Sequence, residues 1–370
     1  MAFEIEALPA RYGDAIILHW GEGKAALIDG GPAKVWKDSV RTALERLGEE
    51  QGGTPRLELL VLSHIDDDHI HGLLDLASAM RTGVENGEPP IVKIQRAWNN
   101  SFDDIIGNDG KELVGPGGKL ASLASAETDG GAVIASVAQG RKLRDELRGL
   151  GLEGNKPFGT LIVATGDGKS VKKIAGLKIT IIAPSATRVK ALQKDWSKKV
   201  KALKEKEAKP SELAALLDKS IPNLSSIAFL AEAEGRRMLL TGDARGDDII
   251  EGLENADLLD DDGRIEVDVF KLPHHGSHHN VNEELFDRVR AAHYIASGDG
   301  TYGNPEADTF KYLAAAREDD DFTIHITYPL AKFTEPAAAT RLKKFFAKQK
   351  KDGRSYEVRY RGANAKSIRL

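Results

Sequence analysis

LVLSHIDDDHIHGLLDL, residues 60–76, decides the reading of this chain. The apolar run LELLVLS (57–63) is nearly continuous, as expected of a strand covered on both faces. Three histidines and three aspartates then fall between His64 and His71. His64 and Asp66 are two residues apart, so on an extended exit loop they point the same way. Asp68 and His69 start the next helix, where an aspartate also suits the N-terminal dipole. Such a turn presents one pair of ligands to one ion and the next pair to a second. Imidazole and carboxylate are the ligand types that suit Zn²⁺, Mn²⁺ or Fe²⁺ without thiolate. A merely capped turn needs one aspartate and no histidine.

Working outward, histidine placement is the strongest signal. Of ten histidines, three lie in 64–71 and four in FKLPHHGSHHN (270–280), with none between His71 and His274. Both clusters follow an apolar strand, which points to one site built from two strand ends. Between them Asp243 closes a strand in MLLTGDARGDD, and Asp29 closes an earlier one in LIDGGP. Each of these alone reads equally as a helix cap or a turn.

Composition narrows the function classes. With 370 residues, 41% of them hydrophobic, the chain can bury a large core, and length alone favours two domains. No apolar run approaches the roughly 18–20 residues of a membrane span, and MAFEIEALPARYGDAIILHW lacks the pattern of a signal peptide. No membrane partner is expected, and the absence of cysteine removes disulfides and thiolate ligands and fits a cytoplasmic location. A net charge of −5 argues against a broadly nucleic-acid-binding surface. Two basic runs, Lys198–Lys209 and Arg341–Lys351, read first as solvated helix faces.

Strand-like and helical runs alternate, which predicts a mixed α/β architecture. Strands are expected at FEIEAL, AIILHW, AALIDGG, 57–63, 91–98, 159–165, 177–184, 225–233, 236–242, 267–273, 293–297, 322–329 and near the C-terminus. Helices are expected over roughly 40–49 and after Gly72, Ala244, Asn282, Pro305 and Glu335. Segments of about 101–155 and 186–219 look like helical insertions into a compact core.

Taken together, these segments resemble the metallo-β-lactamase superfamily. Its His-x-(His/Glu/Asp)-x-Asp-His signature reads here as His64, Asp66, Asp68 and His69. GDAIILHW, LIDGG, LLTGD and KLPHHGS look more narrowly like the hydrolase domain of the ComEC DNA-uptake protein and its soluble relatives. The resemblance runs from about Leu8 to Tyr328 and implies a four-layer αββα sandwich over a single domain, 1–370. It implies one metal position at His64, Asp66 and Asp243. The other is at Asp68, His69, His275 and the bridging Asp243. His275 is preferred to His274, which is left behind the ligands or on the substrate side, and Asp29 is expected to orient His69 or a neighbour. A histidine that usually completes the first position is missing, and PNLSSIAFL offers Asn223, Ser225 and Ser226 there. One or two divalent ions are expected, with oxygen-rich ligation moving the preference from Zn²⁺ towards Mn²⁺. Asn304 stands in TYGNPEAD where the related pattern has a phosphate-holding histidine.

VATGDGKSVKK is not a phosphate loop, because valine stands where the first glycine is required, and Gly166–Gly168 reads as a hairpin turn. GPGGK fails likewise. His71, His278 and His279 are placed either on the substrate side or in ordinary loops, and His19, His293 and His325 read as strand histidines. The implied activity is hydrolysis by a metal-activated hydroxide, with Asp68 and Asp243 as the catalytic carboxylates. His278, His279 or Lys271 would neutralise an anionic substrate. A phosphodiesterase or nuclease acting on DNA is the first expectation. The alternatives are a hydrolase of small amides, lactones or thioesters, and a regulatory protein whose partner docks on the helical insertions.

Overall fold

The computed structural model describes residues 3–106, 129–152, 154–205, 226–318, 320–362 and 367–370. The strands are β1 Glu4–Ala7, β2 Ile16–Trp20, β3 Lys24–Ile28, β4 Arg56–Leu57, β5 Leu59–Val61, β6 Lys93–Ile94, β7 Ala97–Trp98 and β8 Val171–Ile174. They continue as β9 Leu177–Ala183, β10 Ala228–Ala233, β11 Arg236–Leu240, β12 Ile265–Lys271, β13 Val289–Ala296, β14 Thr323–Ile326, β15 Glu357–Tyr360 and β16 Ile368–Arg369. The helices used below are α1 Arg41–Gln51, α2 Asp67–Glu85, α3 Phe102–Ile106, α4 Asp129–Gly149 and α5 Ala186–Lys204. After them come α6 Gly246–Asn255, α7 Glu283–Arg288, α8 Ala307–Ala316 and α9 Pro336–Lys351.

One sheet has six strands in the order β16-β1-β2-β3-β5-β7, and the other has eight in the order β15-β14-β13-β12-β11-β10-β9-β8. β3, β5 and β7 run parallel, as do β11 to β15. The two sheets face each other through Ile5, Leu18 and Val61 on one side and Ile179, Phe229 and Val269 on the other. Helices cover both outer faces, α1 and α2 over Leu27 and Leu60, α6 to α9 over Leu239 and Phe270. This is the metallo-β-lactamase fold, a four-layer αββα sandwich.

Local chemistry explains how α2 is seated. The helix begins at Asp67, so that Asp68 and His69 lie in its first turn as expected, with Asp66 as its extended N-cap. Its first turns lie directly on the loop after β3. A Cβ on Gly72 would stand 2.0 Å from the Gly30 carbonyl oxygen, so any larger residue would push the helix off the loop. That close approach sets His69 against Asp29.

Other expectations need correction. Residues 159–165 do not form a strand, and only Ala164 makes an isolated bridge, to Ser185. The Ile162 backbone is held instead by the Asn100 side chain, which accepts at 2.9 Å and donates at 2.8 Å. The hairpin consequently falls not at Gly166–Gly168 but at Ala175–Gly176, between β8 and β9. The described parts of the two supposed insertions pack on the core. Val137, Leu143 and Leu147 of α4 and Val189, Leu192 and Trp196 of α5 are buried in the cluster under the first sheet. Residues 107–128 and 206–219 of those segments lie outside the described residues. Among the described residues, no helix is long and apolar enough to cross a membrane.

Candidate metal centre

The cluster residues sit at strand ends on one edge of the sandwich or, for Asp66, Asp68 and His69, at the start of α2 just beyond β5. Asp29 follows β3, Ser63 and His64 follow β5, Asp243 follows β11, and His274 and His275 follow β12. Parallel strands aim their carboxyl ends at a common crevice, where ligand sites of open α/β sheets collect. The two sheets touch there through the Ile227 amide, which donates to the Ser63 carbonyl at 2.9 Å, while within the second sheet the His274 amide donates to the Gly242 carbonyl at 3.0 Å. Gly242 has φ 48°, and a Cβ there would lie 2.4 Å from Ser226 Oγ and 2.9 Å from Ser63 Cβ. Only glycine fits, which puts Asp243 opposite His64.

His69, Asp243 and His275 converge with Asp68. His69 Nε2 is 3.2 Å from Asp243 Oδ1 and 3.8 Å from Asp68 Oδ1. His275 Nε2 is 3.0 Å from Asp68 Oδ2 and 3.7 Å from Asp243 Oδ1. Beside them, His64 Nε2 lies 3.5 Å from Asp66 Oδ2 and 3.6 Å from Asp243 Oδ2. His274 Nε2 is also 3.6 Å from Asp243 Oδ2, while its Nδ1 faces Asn280 Oδ1 at 2.8 Å. His274, expected on the substrate side, therefore points at the same carboxylate as His64.

The histidines are aimed from behind. Asp29 Oδ2 accepts from His69 Nδ1 at 2.8 Å and from Ser63 Oγ at 2.7 Å, and its Oδ1 accepts from the Ser63 amide at 2.7 Å. Nδ1 thus carries the proton, and the Nε2 lone pair faces the cluster. His275 Nδ1 lies 3.1 Å from Ser297 Oγ and 3.5 Å from Asp14 Oδ1. Asp14 Oδ2 in turn accepts from Lys271 Nζ at 2.6 Å.

Burial disfavours charge on all these groups, yet their mutual attraction wins. Burial opposes a charged His69, but Asp243, Asp68 and Asp29 hold its pKa well above the ordinary value. For His275, burial is likewise outweighed by Asp14 and Asp243, which lift it to about 9. Asp243 is pushed well below the carboxylate range despite burial, through His274, His69, His275 and His64.

Asp14, His69, Asp243 and His275 form one group whose ligand atoms are close enough to share an ion, and His64, Asp68 and His69 form another. His64 Nε2, His69 Nε2 and Asp243 Oδ1 are buried without a hydrogen-bond partner. Buried polar atoms are almost always satisfied, so three orphans facing one another fit an absent cation. The carboxylates of Asp66, Asp68 and Asp243 facing those histidines reinforce that fit. The residues present suit one or two divalent ions.

The remaining candidates fall elsewhere. Lys271 is 1% exposed, pairs with Asp14 and also donates to the Leu272 carbonyl, so it does not face a substrate. His278 pairs with Glu306 at 2.8 Å and stacks on His279, their ring centroids 3.9 Å apart. His71 is tied to Asp67 at 2.6 Å and to Gln139 at 3.2 Å, away from the cluster. Asn304 is half-buried in the turn after β13, next to Tyr302. Asn223 and Ser225 lie outside the described residues, whereas Ser226 Oγ accepts from the Asp243 amide at 2.9 Å. Asp14 was not singled out from the sequence. Its one local signal is the Gly-Asp pair ahead of an apolar strand.

Residues 8–123 match the family model of the metallo-β-lactamase superfamily, a span holding Asp14, Asp29 and the His64–His71 cluster. No curated protein matches. Among solved structures, Zn²⁺-bound PqqB from Methylobacterium extorquens is similar, at 10% identity and a TM-score of 0.42 over 99% of each chain. A zinc-dependent hydrolase of the superfamily from Thermotoga maritima, itself assigned only provisionally, is similar at 11% identity and a TM-score of 0.33, over 96% of this chain and 98% of that one. CmlA, a diiron β-hydroxylase from Streptomyces venezuelae, is similar at 10% identity and a TM-score of 0.41, over 100% of this chain and 54% of that one.

Proposed function

We propose that the protein is a metal-dependent phosphodiesterase acting on nucleic acid. The observation that carries the hydrolytic reading is the set of orphaned atoms, His64 Nε2, His69 Nε2 and Asp243 Oδ1, turned towards one another. The phosphodiester class is supported by the ComEC-like segments GDAIILHW, LLTGD and KLPHHGS.

Asp68, His69 and His275 would hold one ion and His64, Asp66 and His274 the other, with Asp243 shared between them. Divalent ions bound there supply Lewis acidity and lower the pKa of water towards neutrality. The protein's own groups set the geometry. Asp29 keeps the proton of His69 on Nδ1, and Ser297 and Asp14 do the same for His275. The Asp68 side chain, 22% exposed, is more open than that of the shared Asp243, at 3%. It is placed to take the proton of the attacking water as the new P–O bond forms. The ester P–O bond breaks on the opposite side, and the leaving alkoxide takes up a proton from solvent.

The test is purified protein with Zn²⁺ or Mn²⁺, assayed in parallel on single-stranded DNA, a simple phosphodiester, a lactone and a thioester. Cleavage of the phosphodiesters that Asp243→Ala reduces by at least about 10³-fold is the expected outcome, since loss of one electrostatic catalytic group alone costs roughly 10²–10³. Turnover confined to the lactone or thioester would move the substrate class and keep the hydrolytic centre. Cutting that survives Asp243→Ala defeats the mechanism.

A further inference from the structure

At the mouth of the cluster two tyrosines stand edge to face. Tyr302 is 76% exposed, and its ring centroid lies 5.5 Å from that of Tyr12 at 82°. The Tyr12 hydroxyl donates to Asp67 at 3.5 Å, one residue from Asp68, and Tyr12 is itself two residues from Asp14. The pair therefore borders the metal-binding carboxylates.

Arginines lie at and near this pair. The Arg11 guanidinium sits 6.0 Å from the Tyr12 ring centroid, and the Arg11 amide donates to the Tyr328 hydroxyl at 2.8 Å. Arg361 lies 5.4 Å over Tyr328. From the other side, Arg341 of α9 brings Nη2 to 3.8 Å from the Cβ position of Gly303, next to Tyr302. Beyond Tyr328 the surface runs into a groove of about 690 Å³ between α9 and the edge strand β15, lined by Lys343, Phe346, Lys350, Tyr356 and Tyr360 among others. Arg11 and Tyr302 also keep left-handed backbones, φ 57° and 59°, a strain that collects at ligand clamps.

A lone exposed aromatic needs no explanation. A perpendicular pair beside a hydrolytic centre, with Arg11 and Arg341 near it and Arg361 over the adjoining Tyr328, has the make-up of a single-strand binding surface, in which bases stack on rings and cations take the phosphates. Duplex bases hide their faces, so the surface selects unpaired ones. We propose that Tyr12 and Tyr302 form a stacking platform for a base of single-stranded nucleic acid, with Arg11, Arg341 and Arg361 meeting the flanking phosphates. The substrate class named here rests on the phosphodiesterase reading above.

The test is fluorescence anisotropy with a labelled phosphorothioate oligothymidylate, which resists cleavage, and an abasic oligomer of the same length. Tyr302→Ala should weaken binding of the oligothymidylate by roughly 5- to 150-fold, while Tyr302→Phe stays close to wild type. The wild type should bind the abasic oligomer about as weakly as Tyr302→Ala binds the normal one. Equal wild-type affinity for both oligomers, no binding at all, or an unchanged Tyr302→Ala overturns the platform. Hydrolysis of phosphodiesters that does not depend on Tyr302 would leave the catalytic reading intact and remove the platform. Tyr302-dependent binding without any hydrolysis would do the reverse.

Discussion

Asp14 and Lys271 show how much a single buried charge pair decides. Both side chains are nearly inaccessible, 2% and 1%, and their contact is 2.6 Å. Burial works against ionising Asp14, yet Lys271 and His275 keep it far below the carboxylate range. A buried pair of this kind is weak as a source of stability but costly to break, because the survivor keeps its charge without a partner. Asp14→Ala is therefore expected to destabilise the protein by about 3–5 kcal/mol, measured by denaturant unfolding. Adding Lys271→Met to that variant should recover much of the loss by removing the stranded ammonium. If the double variant is as unstable as the single one, the loss comes from His275 and the cluster and not from the lysine. The same pair explains why the sequence misleads at this scale. Lys271 beside PHHG suggests a cation facing an anionic substrate, and nothing local reveals that Asp14, 257 residues away, claims it.

Among the elements, β13 and β14 carry a second consequence of burial. Their neighbours His293 and His325 approach to 3.2 Å between Nδ1 and Nε2, so one ring donates and the other accepts. Burial, His293 and Arg359 depress His325 to about 4, with Glu357 opposing, and burial together with Arg359 and Arg236 lowers His293 against Asp268. The unfolded chain takes up a proton on this histidine near pH 6.5 and the folded one only near 4, so the unfolded state binds more protons between those values. Stability contributed here is complete above about pH 6.5 and falls as the pH drops towards 4. The gap between those two values bounds the loss at roughly 3 kcal/mol. His325→Val should flatten the melting-temperature profile across that range, and a profile as steep as wild type would show that other groups govern it. Elements of this kind were largely legible, because β5, β11 and β12 are apolar runs that stop at turn residues. Residues 159–165 carry the same apolar signal but pair with the Asn100 amide, a partner 62 residues away that no periodicity announces. In α5 the apolar residues Val189, Leu192 and Trp196 recur at helical spacing, yet intervening lysines made the segment look like a solvated addition.

At the scale of the whole molecule, the cluster joins the two sheets. His64, Asp66, Asp68 and His69 come from the first, and Asp243, His274 and His275 from the second. The loops that meet there are about two hundred residues apart, and their histidine spacing alone was enough to predict that they would meet. What the spacing could not supply was the role of His274, because the half-exposed first histidine of PHHG looks like a substrate contact until its Nε2 is seen 3.6 Å from Asp243. A cation bound across this seam has no comparable site in the unfolded chain, so it stabilises only the folded state. For each site that amounts to about 2.7 kcal/mol when the free ion exceeds its dissociation constant a hundredfold. Chelation should accordingly lower the melting temperature, and Zn²⁺ or Mn²⁺ should restore it in a concentration-dependent way. Elemental analysis should find up to two ions per chain, falling by one in His274→Ala or in His69→Ala and nearly to none in Asp243→Ala. A melting temperature indifferent to both ions, with no metal retained on dialysis, would mean that the orphaned nitrogens of His64 and His69 face something other than a cation, and the hydrolytic reading would go with the metal.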